Sequence, residues 1–231
     1  MQTVILDFNT RVKEINEYFS FLEGLDNGTI KLAISDSYGK QEIKSIDSEL
    51  GKTLKANSFL LLYNLIESSM RNAVEAIFDE LKGKKVSFNA VRKEIKKVVL
   101  QNFKNRSPDN IHNKIKDISL DIITAGFDSK KLFSGNIDRD EITKTARKYG
   151  FSYNTDYATT KHGENLFDIM EKRNDLAHGN KSFSEVGKLV SIGDLLKIKD
   201  EVIEYIGQIL ENIELYLNAK EYLDLSITII P

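Results

Sequence analysis

The sequence predicts an all-α protein, an up-and-down bundle of about four or five main helices with small additions. Three observations predict it. Only two prolines occur in 231 residues, so little in the chain interrupts a helix. Ile, Leu, Lys and Glu are abundant and suit helices. Apolar residues recur at three- and four-residue spacing over several long stretches.

Composition also excludes whole classes of chemistry. With no cysteine, disulfides, thiol nucleophiles and thiolate-held zinc or iron–sulfur centres are ruled out. Gly-rich phosphate loops, Gly-x-Ser-x-Gly and paired-histidine metal motifs are absent, so neither a cofactor nor a metal is expected. No apolar run is long enough to span a membrane, and Met1-Gln2-Thr3-Val4 lacks a basic leader. The expectation is a cytoplasmic protein without membrane association. A net charge of −2 gives no global sign of nucleic-acid binding, so any RNA contact must use a local patch.

The chain reads as a single domain over 1–231: an N-terminal helix and connecting arm (1–50), a core (51–223) and an apolar tail (224–231). From Val4 to Leu25, apolar side chains at Ile5, Phe8, Val12, Ile15, Phe19 and Leu22 predict an amphipathic helix closed by Asn27-Gly28. Thr29 to Ser35 alternates too loosely to decide between a short strand and an irregular arm. Asp36 to Gly51 is polar and reads as connection.

Thr53 to Leu81 is the most apolar segment and predicts the central helix. A narrow polar stripe runs along it through Asn64, Glu67, Ser68, Arg71, Asn72 and Glu75. Polar groups on a buried helix need partners. Either the stripe is a solvent edge with a Glu67–Arg71 pair, or Glu67 and Asn64 face a functional site. Lys82 to Arg106 predicts another helix, with Ser87 as N-cap. It carries nine Lys or Arg against one acid, Glu94. Such a run is most often a solvated face; near a nucleic-acid site it becomes a phosphate-tracking surface, with Lys93, Lys96 and Lys97 as candidate RNA contacts.

Ser107-Pro108 starts a helix that Ile111, Ile115, Ile118 and Ile122 carry to Gly126. Ser129 to Ile137 reads as a loop, and Asp138 caps a short helix that Gly150 ends. Ser152 to Gly163 reads as a flexible connection, with His162 an incidental surface residue. Asn165 to His178 and Ile192 to Leu223 are the last helices. The tail after them is apolar and β-prone and is expected to pack on the body or a partner.

One stretch carries chemistry: Glu171-Lys172-Arg173-Asn174-Asp175-Leu176-Ala177-His178-Gly179-Asn180. Of the three histidines, only His178 has an arginine five residues before it. Arginine offers a planar fork for phosphate oxygens, and imidazole can both take and give a proton. By chance this pair arises in about one chain in ten of this composition, so the spacing needs its surroundings. On a regular helix the two side chains point about 140° apart. They converge only if the helix ends at His178, as Gly179-Asn180 predicts, or in a cleft between packed units.

Arg-Asn-Asp-Leu-Ala-His-Gly, followed by Ser182 to Gly187, resembles the R-x4-6-H motif of HEPN domains. Leu60 to Ser68, Ser134-Gly135-Asn136-Ile137-Asp138 and Lys148-Tyr149-Gly150-Phe151 are similar to the MAE-type HEPN-like nuclease family, and the likeness runs from about residue 50 to 223. The resemblance implies an all-helical fold and a metal-independent endoribonuclease in which the RNA 2′-hydroxyl attacks the adjacent phosphate. His178 would be the acid/base group, Arg173 would hold the phosphorane charge and Asn174 would orient the pair. It also implies a homodimer with two motifs in a shared cleft, and a toxin or antiphage role restrained by an antitoxin or regulatory protein. The tyrosine that one toxin subgroup carries two residues after the histidine is Asn180 here. A non-catalytic RNA-binding or scaffold protein is the second function the resemblance allows.

Overall fold

One long helix organises the molecule because nearly every side chain on its inner faces is apolar. In the computed structural model, which describes residues 1–112, 118, 121–127, 132, 133 and 135–224, the elements follow in this order. After α1 (Gln2–Asp26) comes a two-stranded antiparallel hairpin, β1 (Leu32–Ser35) and β2 (Gln41–Lys44), and then the central α2 (Ser48–Gly83). The middle of the chain forms α3 (Lys93–Lys104), α4 (Pro108–His112), α5 (Ile122–Gly126) and α6 (Arg139–Tyr149). The last part forms α7 (Tyr157–Thr160) with a 3-10 turn (Lys161–Gly163), then α8 (Asn165–Ala177), α9 (Phe183–Gly187) and α10 (Ile192–Asn218). The fold is all-α, as expected.

Along α2, Ala56, Phe59, Leu62, Ile66, Met70, Ala73, Val74 and Ile77 are fully buried. α1, α8, α9 and α10 pack around them. Val202, Ile206, Ile209 and Ile213 close the core from α10. Among the described residues, no helix is long and apolar enough to cross a membrane.

Several boundaries differ from expectation. α2 starts five residues earlier than the apolar run because Asp47 caps it, its carboxylate accepting from the Glu49 and Leu50 N–H groups. The polar stretch before it contains β2 rather than plain connection. Ser87 does not cap α3. Ser87 to Ala90 turns (Ala90 N–H to Ser87 O, 3.0 Å), and buried Val91 bridges to Leu223, so the helix waits until Lys93. The last helix ends at Asn218, where Lys220 adopts a left-handed φ of 56°. Its chain then turns back so that Arg92 N–H reaches Tyr222 O at 2.8 Å.

The expected helix from Pro108 to Gly126 is described only as α4 and α5, the second capped by Asp121. Ile115 lies outside the described residues, as do residues 129–131, Ser134 and the apolar tail 225–231. The 152–163 stretch is not a loose connection. Asn212 Nδ2 donates to Asn154 O (2.8 Å) and Asp156 N–H donates to Gln208 Oε1 (2.7 Å), fastening it along α10. His162 is exposed there, its ring 5.3 Å from that of Tyr157. α9 was not anticipated, although Ser182 and Glu185 form a capping box whose spacing is legible in the sequence.

Candidate active site

α8 stops where the motif requires. Gly179 takes a φ of +70°, a conformation that costs glycine little. Asn180 N–H then reaches back to Asp175 O (2.9 Å) and Gly179 N–H to Leu176 O (3.3 Å). This is a Schellman termination, and it makes His178 the C-cap, exposed to solvent. Lys181 secures the turn by bonding Asp175 Oδ2 at 2.6 Å. That ammonium holds the Asp175 carboxyl below its ordinary range.

Arg173 points the other way, into the molecule. Its Nη1 donates to Gly135 O (3.2 Å) and to Asn174 Oδ1 (2.8 Å). Its Nη2 lies 3.6 Å from Glu67 Oε2, and the guanidinium stacks 4.2 Å over the Tyr63 ring. Glu67 in turn binds Arg71 Nη2 at 3.1 Å. Asn174 extends the network, donating through Nδ2 to Asn136 Oδ1 at 2.8 Å. Asn174 and Glu67 therefore gather around Arg173, while His178 sits beyond them on the helix end. No direct hydrogen bond links Arg173 to His178 among the described contacts.

Tyr63, Gly135 and Asn136 complete the cluster and were not among the expected site residues. The Tyr63 hydroxyl donates to Gly135 O (2.5 Å) and accepts from Ile137 N–H (3.1 Å). Burial pushes that hydroxyl above its ordinary range, so it stays protonated and able to donate. The signal was present: Tyr63 and Gly135-Asn136 lie within two of the stretches similar to the HEPN-like nucleases. The fourth stretch is elsewhere; Gly150 turns beneath Arg92, which donates to its carbonyl at 3.0 Å.

Asn64 does not join the site. Its Oδ1 accepts from Arg11 Nη1 at 2.6 Å, in a polar network with Asp7 and Asn72 between α1 and α2. Asn64 and Glu67, three residues apart, are neighbours on α2, but Arg11 of α1 claims the former while Arg71 and Arg173 hold the latter. Of the basic candidates, Lys93 and Lys97 are exposed, whereas Lys96 is half-buried and lies 3.7 Å from Asp224.

Beside Asn136 and Asn174 lies an open pocket of ≈ 600 Å³ that also presents Asp138, Glu141, Glu171 and Asp175 against Lys144 and Lys181. Its excess of acids disfavours an anion inside it. What the cluster can do chemically is present a half-buried cation and an amide beside an exposed imidazole.

No curated protein and no solved structure matches the chain. The model of the MAE_28990-like HEPN family matches residues 1–222. A match over nearly the whole length, on a helical fold that gathers three of the four similar stretches, leaves one conclusion: the chain belongs to the MAE_28990-like HEPN family.

Proposed function

We propose that the protein is a metal-independent endoribonuclease, acting as a toxin or antiphage effector in the cytoplasm under the control of a partner protein. The observation that carries this reading is the convergence of Tyr63 and Glu67, Gly135 and Asn136, and Arg173 and Asn174 at one end of α8, with His178 free at the cap. The 2′-hydroxyl attacks the adjacent phosphorus, forming a P–O2′ bond and breaking the P–O5′ bond. His178 takes the 2′ proton or gives one to the departing 5′ oxygen. Arg173 offers five N–H donors, and those left over from Gly135 and Asn174 hold the charge that develops on phosphorus. Asn174 keeps the guanidinium in place.

A single imidazole cannot be base and acid at once, and a homodimer supplies the second. Phe167, Glu171, Asn174 and His178 recur at four, three and four positions, so they form one stripe of α8. Phe167 is 52% exposed on it. Two copies packed through this stripe about a two-fold axis would bring both His178 side chains into one cleft. Light scattering at about ten micromolar, a range where weak dimers form, should show a dimer. Phe167→Asp should give a folded monomer that no longer cuts. A wild-type monomer that cuts RNA would overturn the shared cleft.

A second reading, a non-catalytic RNA-binding or scaffold protein, is favoured by one feature. Arg173 already acts as a clamp on Gly135, and Asn174 on Asn136. One assay separates the two: incubation with single-stranded RNA in excess EDTA, for wild type and His178→Ala. Fragments ending in a cyclic phosphate, made by wild type alone, are the expected result. RNA binding without cleavage would leave the scaffold reading, and activity restored only by Mg²⁺ would refute the mechanism.

A further inference from the structure

Lys97 and Lys104 of α3 face Arg147 and Lys148 of α6 across an open groove of ≈ 550 Å³. All four are exposed, and none is ion-paired to a described residue. The one acid lining the groove, Glu94, is already held by Arg92 at 2.8 Å. Unpaired like charges crowded together repel one another and attract anions. The groove is not merely basic. Leu100 lines it while 53% exposed, and the Tyr153 ring, 38% exposed, carries the Arg147 guanidinium 5.4 Å from its centroid. Cations for a backbone interleaved with exposed apolar and aromatic faces for bases are what an unpaired nucleic-acid strand uses. An acidic protein segment would use the charges but have no need of the Tyr153 ring.

α6 connects this groove to the motif. Lys144 stands with Lys181 against four acids in the pocket beside Asn136 and Asn174, so a strand would skirt this pocket rather than enter it. Lys148, four residues on, lines the groove. The two are about one helical turn, or about 6 Å of rise, apart.

We infer that the α3–α6 groove is a binding track for single-stranded RNA that delivers the strand along α6 to the Arg173–His178 end of α8. The inference rests on the nuclease reading only for what happens at that end. It replaces Lys93 and Lys96 as principal contacts with Lys104, Arg147 and Lys148, and keeps Lys97.

The test measures affinity for labelled oligouridine, in the His178→Ala background to prevent cutting, at about 50 and 200 mM salt. Lys97→Gln with Lys104→Gln should bind several-fold more weakly. Its salt slope should be smaller by about 1.4, at about 0.7 per lost phosphate contact to a single strand. Tyr153→Ala should weaken oligouridine binding but not duplex RNA binding, and Tyr153→Phe should restore it. An unchanged salt slope in the lysine variant, equal effects on duplex, or no RNA binding by the parent would each overturn the track. Cleavage is scored separately with His178 intact. A reduced slope in a protein that never cuts upholds the track and removes the nuclease, and cutting with an unchanged slope does the opposite.

Discussion

Arg173 and His178 are five residues apart yet differ in what they hold together. His178 caps α8 from the solvent side, and its side chain makes no described hydrogen bond. Arg173 ties α8 to Glu67 of α2 and to Gly135. Removing its side chain strands part of that network, although Glu67 keeps Arg71 and Gly135 keeps Tyr63. Arg173→Ala should therefore cost about 1–2 kcal/mol, and a chain of this length would lose about 2–8 °C in Tm. His178→Ala should stay within about 0.5 kcal/mol of wild type. Thermal melts of the two variants check this; an equal loss for His178→Ala would mean that the imidazole is part of the fold. Their divergence was legible, since five positions do not share a helix face. The fate of Asn64 was not, because its partner Arg11 comes from 53 positions away.

At the level of elements, the approach of α9 to α2 depends on a missing side chain. A Cβ on Gly187 would lie 1.8 Å from the carbonyl oxygen of Lys52 and 2.6 Å from its carbon. Backbone atoms inside α2 cannot step aside. Gly187→Ala should thus push α9 off and destabilise by about 2–3 kcal/mol. Gly51, within the same helix, would meet nothing within 4 Å. Gly51→Ala should stabilise by up to about 1 kcal/mol. Chemical denaturation of both variants should give shifts of opposite sign, and a neutral Gly187→Ala would contradict the packing. The capping signals for these elements are local and readable: Asp47, Asp121, Asp138 and Ser182 each satisfy N–H groups two or three residues on. Ser87 looked equivalent and failed, since the bridge of Val91 to Leu223 keeps the preceding chain extended.

At the level of the whole molecule, the core contains several tyrosines that must remain neutral. Burial pushes the Tyr18 and Tyr205 hydroxyls up to about 12, and those of Tyr149 and Tyr216 higher still. Because the folded values lie above the unfolded value of 10.0, their contribution to stability is complete below that pH. It is lost as pH rises through the folded values. Melts by circular dichroism should show a Tm that begins to fall above about pH 10. Exposed tyrosines such as Tyr38, 94% accessible, should ionise first, and the buried ones only with unfolding. Full tyrosine ionisation in an intact fold would refute this burial. Helix periodicity, caps and the absence of cysteine are properties of adjacent residues, so the sequence by itself determined an all-α fold, the place where α8 stops, and the exclusion of thiol chemistry. Only the tertiary structure decided that Tyr63 would meet Gly135 from 72 positions away, that Glu67 would meet Arg173 while Asn64 would not, and that Lys97 would face Arg147. Local rules reach about one helical turn, whereas these meetings depend on which faces of distant helices bury each other.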